Sequence, residues 1–180
     1  MTAPPAAENP SPAPAPRNPS SGPIKAHLYL YVDGACSGNP GPAGAAAILK
    51  DADGTTLLEK ARAFGPATNN VAEYQAVVLG LELAATLRPK ALTIRSDSEL
   101  LVRQLAGQYK IRASHLKPLY NQVRRLLAPF QVVEIEHIPR QQNAEVDKLA
   151  RKAVEKARQV DAQLPPDARK APKPKTFRLK

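Results

Sequence analysis

The run Leu28-Tyr29-Leu30-Tyr31-Val32 leads into Asp33 and then into Gly34-Ala35-Cys36-Ser37-Gly38-Asn39-Pro40-Gly41-Pro42, and it constrains the fold more than any other segment. Its β-prone residues end on a carboxylate that meets a Gly/Pro-rich turn, which places Asp33 at a sheet edge open to a ligand. Three further acids occupy comparable settings: Glu73 opening an expected helix, Asp97 ending an expected strand, and Asp147 early in a late helix. Four converging carboxylates repel one another unless a cation sits among them. The pattern therefore points to magnesium-dependent phosphodiester chemistry.

The order of elements follows from periodicity and turn chemistry. Residues 27–32 and 44–49 read as strands. Asp51-Ala52-Asp53-Gly54 has hairpin chemistry, and 55–64 reads as a third strand, so these three form an antiparallel meander. Residues 70–87 read as a helix with Tyr74, Val77, Val78, Leu81 and Ala85 on one stripe, ended by Pro89. A strand over 91–96, helices over 98–105 and 114–128, a strand over 132–138 and a helix over 144–157 complete the order βββαβααβα. Strands alternating with helices imply parallel neighbours joined by right-handed crossovers. The expectation is an α/β fold, one mixed five-stranded sheet flanked by helices.

Outside that core the composition changes. Eight of the 19 prolines fall within residues 1–23, interleaved with Ala, Ser and Asn. Such a stretch cannot bury enough apolar surface to offset its ordering entropy, so 1–23 is expected to be a disordered tail. It lacks the basic start and apolar core of a signal peptide, and no run approaches the ~20 apolar residues of a membrane span. Residues 24–157 form the expected domain, and 158–180 a basic Pro/Lys-rich tail. The formal net charge is +10, and residues 151–180 supply +7 of it. A basic tail on a mildly basic core suggests a polyanionic partner. Cys36 is the only cysteine, which rules out an intrachain disulfide and suits a reducing, cytoplasmic setting. Monomer is the default expectation.

Four segments in this order resemble the type 1 ribonuclease H family across residues 26–157. They are Val32 to Pro42, Ala67-Thr68-Asn69-Asn70-Val71-Ala72-Glu73, Ile94-Arg95-Ser96-Asp97-Ser98, and Pro139-Arg140-Gln141-Gln142-Asn143-Ala144-Glu145-Val146-Asp147-Lys148-Leu149-Ala150. Each alone is a weak signal; together, each on its expected element, they are a strong one. The resemblance implies a ribonuclease H-like fold and hydrolysis of the RNA strand of RNA–DNA hybrids to 3′-hydroxyl and 5′-phosphate ends. It also implies two Mg²⁺ ions, replaceable by Mn²⁺, held by Asp33, Glu73, Asp97 and Asp147. Asp33 would bridge both ions, Glu73 and Asp97 would hold the ion near the leaving oxygen, and Asp147 the ion that activates water. Each acid also has a plainer reading. Asp33 can be a turn residue, Glu73 one half of a capping box with Asn70, Asp97 a helix cap, and Asp147 a solvated helix charge.

The same resemblance puts Asn39, Asn69 and Asn70 at positions that read the hybrid's minor groove, Cys36 at a nucleic-acid contact and Thr68 at a phosphate contact on the DNA strand. Short amides suit ribose 2′-hydroxyls, which distinguish RNA from DNA. Three departures stand out. Glu99 replaces a Gln common in the family. The stretch from Asp97 to Val132 is too short for the basic helical insertion, leaving Lys110, Arg112 and Lys117 as substitutes, as in the short-loop branch. The mobile-loop His is absent; Arg140 is the expected substitute, assisting product release or, indirectly, leaving-group protonation as a phosphate ligand, while His137 falls in the strand as a structural residue. The alternatives are a non-catalytic module binding hybrid or double-stranded RNA, and a nuclease of this fold that also cuts double-stranded RNA.

Overall fold

A computed structural model describes residues 27–163. The expected tail over 1–23, and the part of the basic tail beyond Gln163, lie outside the described residues. Within them the chain forms β1 (His27–Cys36), β2 (Gly41–Lys50), β3 (Thr56–Ala67), α1 (Asn69–Leu87), β4 (Ala91–Ser96) and α2 (Glu99–Leu105). A 3-10 turn (Ser114–Leu116) leads into α3 (Lys117–Leu127), followed by β5 (Val132–His137), a second 3-10 turn (Arg140–Asn143) and α4 (Ala144–Gln163). This is the expected order, and the sheet runs β3-β2-β1-β4-β5. The first three strands pair antiparallel, while β1–β4 and β4–β5 are parallel.

Alternation in β1 sorts the two faces of the sheet. Leu28, Leu30 and Val32 are fully buried with Val77, Val78 and Leu81 of α1. Tyr31 and Ala35 point the other way, into a smaller cluster with Ile48, Val146 and Ala150 under α4. Two glycines set how closely these helices sit. A Cβ on Gly34 would lie 2.2 Å from the backbone of Ala72 and Glu73, and one on Gly44 would lie 2.7 Å from the Ala150 carbonyl. With any side chain at either position, α1 and α4 could not rest directly on the strands.

Several element ends differ from the sequence reading, each for a local reason. β2 and β3 extend to Gly41 and Ala67, with Pro42 opposite Pro66 where the register shifts. Prolines are tolerated there because the ladder is already irregular. In α1 Ala84 is buried and Ala85 exposed, and residues 76–81 are buried without a break. The sheet covers one side of this helix and α3 another, so no single stripe describes it. Pro118 sits in the first turn of α3, where a missing N–H costs nothing. α4 continues past the expected end at 157 to Gln163; no proline interrupts the sequence between Ala144 and Pro165.

Candidate active site

The parallel ladder between β1 and β4 stops at Tyr31–Arg95, whereas β1 stays paired with β2 as far as Cys36–Ala43. Beyond Tyr31 the two central strands therefore part, and the acids gather in the opening. Asp33 lies within β1 rather than at its end, 5% exposed, opposite Ala46. Asp97 follows the last residue of β4. Glu73 comes from the second turn of α1 and is 6% exposed, and Asp147 comes from the first turn of α4. All four line one cavity of about 430 Å³, together with Cys36 and Asn69.

The plainer readings of these acids are displaced by neighbours. Thr68, not Asn70, caps α1, its hydroxyl accepting from Val71 N at 3.4 Å. Ser98, not Asp97, caps α2, accepting from Leu101 N at 3.4 Å. Glu73 faces β1, where the Gly34 N–H and the Asn69 side chain favour its ionised form but are outweighed by its burial.

Electrostatics in the cavity are unfavourable to four free charges. Burial, then repulsion from Asp97 and Asp147, raises the Asp33 carboxyl to about 7, with Arg140 and Arg151 opposing the rise. Burial, then repulsion from Asp33 and Asp97, raises Glu73 to about 9. Glu73 Oε2 is moreover buried with no hydrogen-bond partner among the described residues. A cluster of hard oxygen donors, two reluctant to ionise and one with an orphaned atom, fits Mg²⁺ or Mn²⁺. Among the described residues no three acids are already closed into a metal-ligand group. Protein partners hold two of them instead. Asp97 Oδ1 accepts from Asn143 Nδ2 at 2.8 Å. Asp147 Oδ1 accepts from Arg140 at 3.2 Å and Oδ2 from Arg151 at 2.8 Å. Both arginines are largely exposed, and exposed pairs of this kind are weak, so they yield readily to a stronger cation.

The expected substrate residues form one connected strip beside the cavity. Asn39 Oδ1 accepts from Asn69 N at 3.1 Å, tying the turn after β1 to the start of α1. The Cys36 thiol points to Asn69 Oδ1 at 3.9 Å, and burial pushes that thiol up, away from the reactive thiolate. Asn70 is exposed beside them, while the Thr68 hydroxyl is engaged in its cap. Glu99 is taken up by Arg103 within α2. His137 closes β5, its Nε2 lying 3.3 Å from the Asp97 carbonyl oxygen. Sequence reasoning missed two residues here. Arg151 was visible as the i+4 partner of Asp147; Asn143 lay inside the fourth motif but carries no charge to draw notice.

A 3-2-1-4-5 mixed sheet with four acids at the parting of its central strands defines the ribonuclease H-like class of α/β proteins. Residues 31–153 match the family described as reverse transcriptase-like. Over 136 residues the chain is 41% identical to the bifunctional protein Rv2228c of Mycobacterium tuberculosis, covering 75% of this chain and 37% of that protein. It is 36% identical to the ribonuclease H of Rhodospirillum rubrum, covering 77% of this chain and 91% of that one. Among solved structures, the N-terminal RNase H domain of Rv2228c superposes with a TM-score of 0.73 at 38% identity, over 75% of this chain and 98% of that chain. LC11-RNase H1, in complex with an RNA/DNA hybrid, gives 0.69 at 36% identity over 72% and 98%. The chain belongs to the ribonuclease H family. It spans little more than a third of the mycobacterial protein, so what the remainder of that protein does is not carried over. No helix among the described residues is long and apolar enough to cross a membrane.

Proposed function

We propose that the protein is a type 1 ribonuclease H of the short-loop branch, hydrolysing the RNA strand of RNA–DNA hybrids to 3′-hydroxyl and 5′-phosphate ends. The observation that carries this reading is the delivery of Asp33, Glu73, Asp97 and Asp147 into one cavity from four separate elements. Two Mg²⁺ ions bound by these acids would supply a hydroxide nucleophile and neutralise charge on the departing 3′-oxygen. The chain's own residues do the rest. Asn39, Asn69 and Asn70 present amides to the minor groove, where a 2′-hydroxyl both donates and accepts. Thr68 addresses a phosphate of the DNA strand. Arg140 and Arg151 stand at the cavity mouth as fixed cations suited to phosphate oxygens. A guanidinium fork is a phosphate ligand, so Arg140 serves product release. Lys110, Arg112 and Lys117 take the place of the missing basic insertion.

A labelled substrate panel tests this: RNA–DNA hybrid, double-stranded RNA, double-stranded DNA and single strands, each with Mg²⁺ or Mn²⁺. Cutting of RNA in the hybrid alone, leaving 5′-phosphates, is expected. Equal cutting of double-stranded RNA would widen the substrate class. Tight hybrid binding without cutting would replace the enzyme reading by that of a binding module.

A further inference from the structure

The turn between β5 and α4 fastens the strand ends that carry two of the acids. Asn143 closes this turn, 1% exposed, and lies four residues before Asp147. Its Nδ2 donates to Val32 O at 3.1 Å and to Asp97 Oδ1 at 2.8 Å. Val32 directly precedes Asp33, so one amide bridges β1 and the carboxylate beyond β4 where the ladder between those strands has ended. Both amide hydrogens are used. Reversing the amide would turn its oxygen onto two acceptors, so its orientation is fixed. The neighbouring residues grip Asp97 further: Ile138 N donates to Ser96 O at 3.0 Å, and His137 Nε2 lies 3.3 Å from the Asp97 carbonyl.

The choice of an amide has a chemical consequence. A Lys or Arg here would hold Asp97 equally well but cancel its charge. A neutral donor fixes Oδ1 and leaves the full negative charge, with Oδ2, available to the cavity. Asn143 Oδ1 is itself buried without a partner among the described residues, a cost in stability of the kind that functional sites retain.

We propose that Asn143 is a positioning residue that sets the Asp97 carboxylate and the end of β1 in register for divalent-ion binding. This rests on the ribonuclease H reading, and its test separates the two. Mn²⁺ binding is measured by calorimetry on the full chain as wild type, Asn143→Ala and Asn143→Leu, beside thermal unfolding and steady-state kinetics on the hybrid. Leu fills the space without donors. Expected are Mn²⁺ affinity weakened about 10–100-fold in both variants, kcat at low metal lowered in step, and KM for the hybrid within about twofold of wild type. Unchanged affinity and kcat in either folded variant would overturn the proposal. Recovery by Leu would overturn it too, since packing alone would then account for the residue. Should Ala fail to fold, the Leu variant decides. A wild type that binds Mn²⁺ yet leaves hybrid intact contradicts the ribonuclease reading, while the affinity comparison still decides the role of Asn143.

Discussion

At the scale of single residues the site is a problem of protons against cations. Glu73 is raised from 4.5 to about 9 and Asp33 from 3.8 to about 7. The folded state thus binds more protons than the unfolded chain between those values, and stability falls as pH rises through each window. Metal-free protein should therefore lose melting temperature from about pH 4 to about pH 9, and Glu73→Gln should flatten that decline and melt several degrees higher than wild type at pH 8. Added Mg²⁺ should raise the wild-type Tm more at pH 8 than at pH 5, because protons compete with it for the same oxygens. Scanning calorimetry across pH checks both; a variant as pH-sensitive as wild type contradicts the assigned burial. Arg140 offers a contrasting case. Its exposed pair with Asp147 means that Arg140→Ala should change stability by less than about 0.5 kcal/mol while lowering turnover roughly tenfold or more. Unchanged turnover would remove Arg140 from the mechanism. The meeting of Asp33, Glu73, Asp97 and Asp147 in one cavity was legible in the sequence because each stands in a motif with Gly, Asn or Ser neighbours. The contacts of Asn143 were not, since they run to Val32 and Asp97, both distant in the chain.

At the scale of elements, the helices hold the acids in place through close approach. A Cβ on Gly34 would overlap the α1 backbone at Glu73 itself. Gly34→Ala should cost about 1–3 kcal/mol or more in urea unfolding, and its residual folded fraction should cut hybrid poorly because Glu73 has moved with its helix. Full activity in that variant would contradict the packing described. Strand and helix identities were readable from period, as in Leu28, Leu30 and Val32 against Tyr29 and Tyr31. Boundaries were less so. The chain pairs through Pro42 and Pro66 because a register shift absorbs them. Thr68 and Ser98 take the caps that spacing alone also allows to Asn70 and Asp97. Ala85 departs from the expected stripe because α1 is covered by α3 as well as by the sheet, a tertiary fact that local periodicity does not carry.

At the scale of the whole molecule, positive charge continues in the sequence past the described residues. The last 17 residues hold Arg169, Lys170, Lys173, Lys175, Arg178 and Lys180. A deletion beginning at Leu164 removes none of the described residues of α4, whereas one at Arg158 would cut its last described turns. Removing 164–180 should weaken hybrid binding and flatten the dependence of log K on log salt by roughly 0.7–0.9 for each phosphate no longer neutralised; an unchanged slope would show that these residues do not touch the duplex. One assay probes the four acids and their metal dependence together. An end-labelled RNA–DNA hybrid is incubated with wild type in Mg²⁺, with wild type in excess EDTA, and with Asp33→Asn in Mg²⁺. Cutting of the RNA strand is expected in the first alone, with the variant slower by about 10²–10³-fold or more though it still binds hybrid. Cutting in EDTA, or by Asp33→Asn at the wild-type rate, would contradict that expectation.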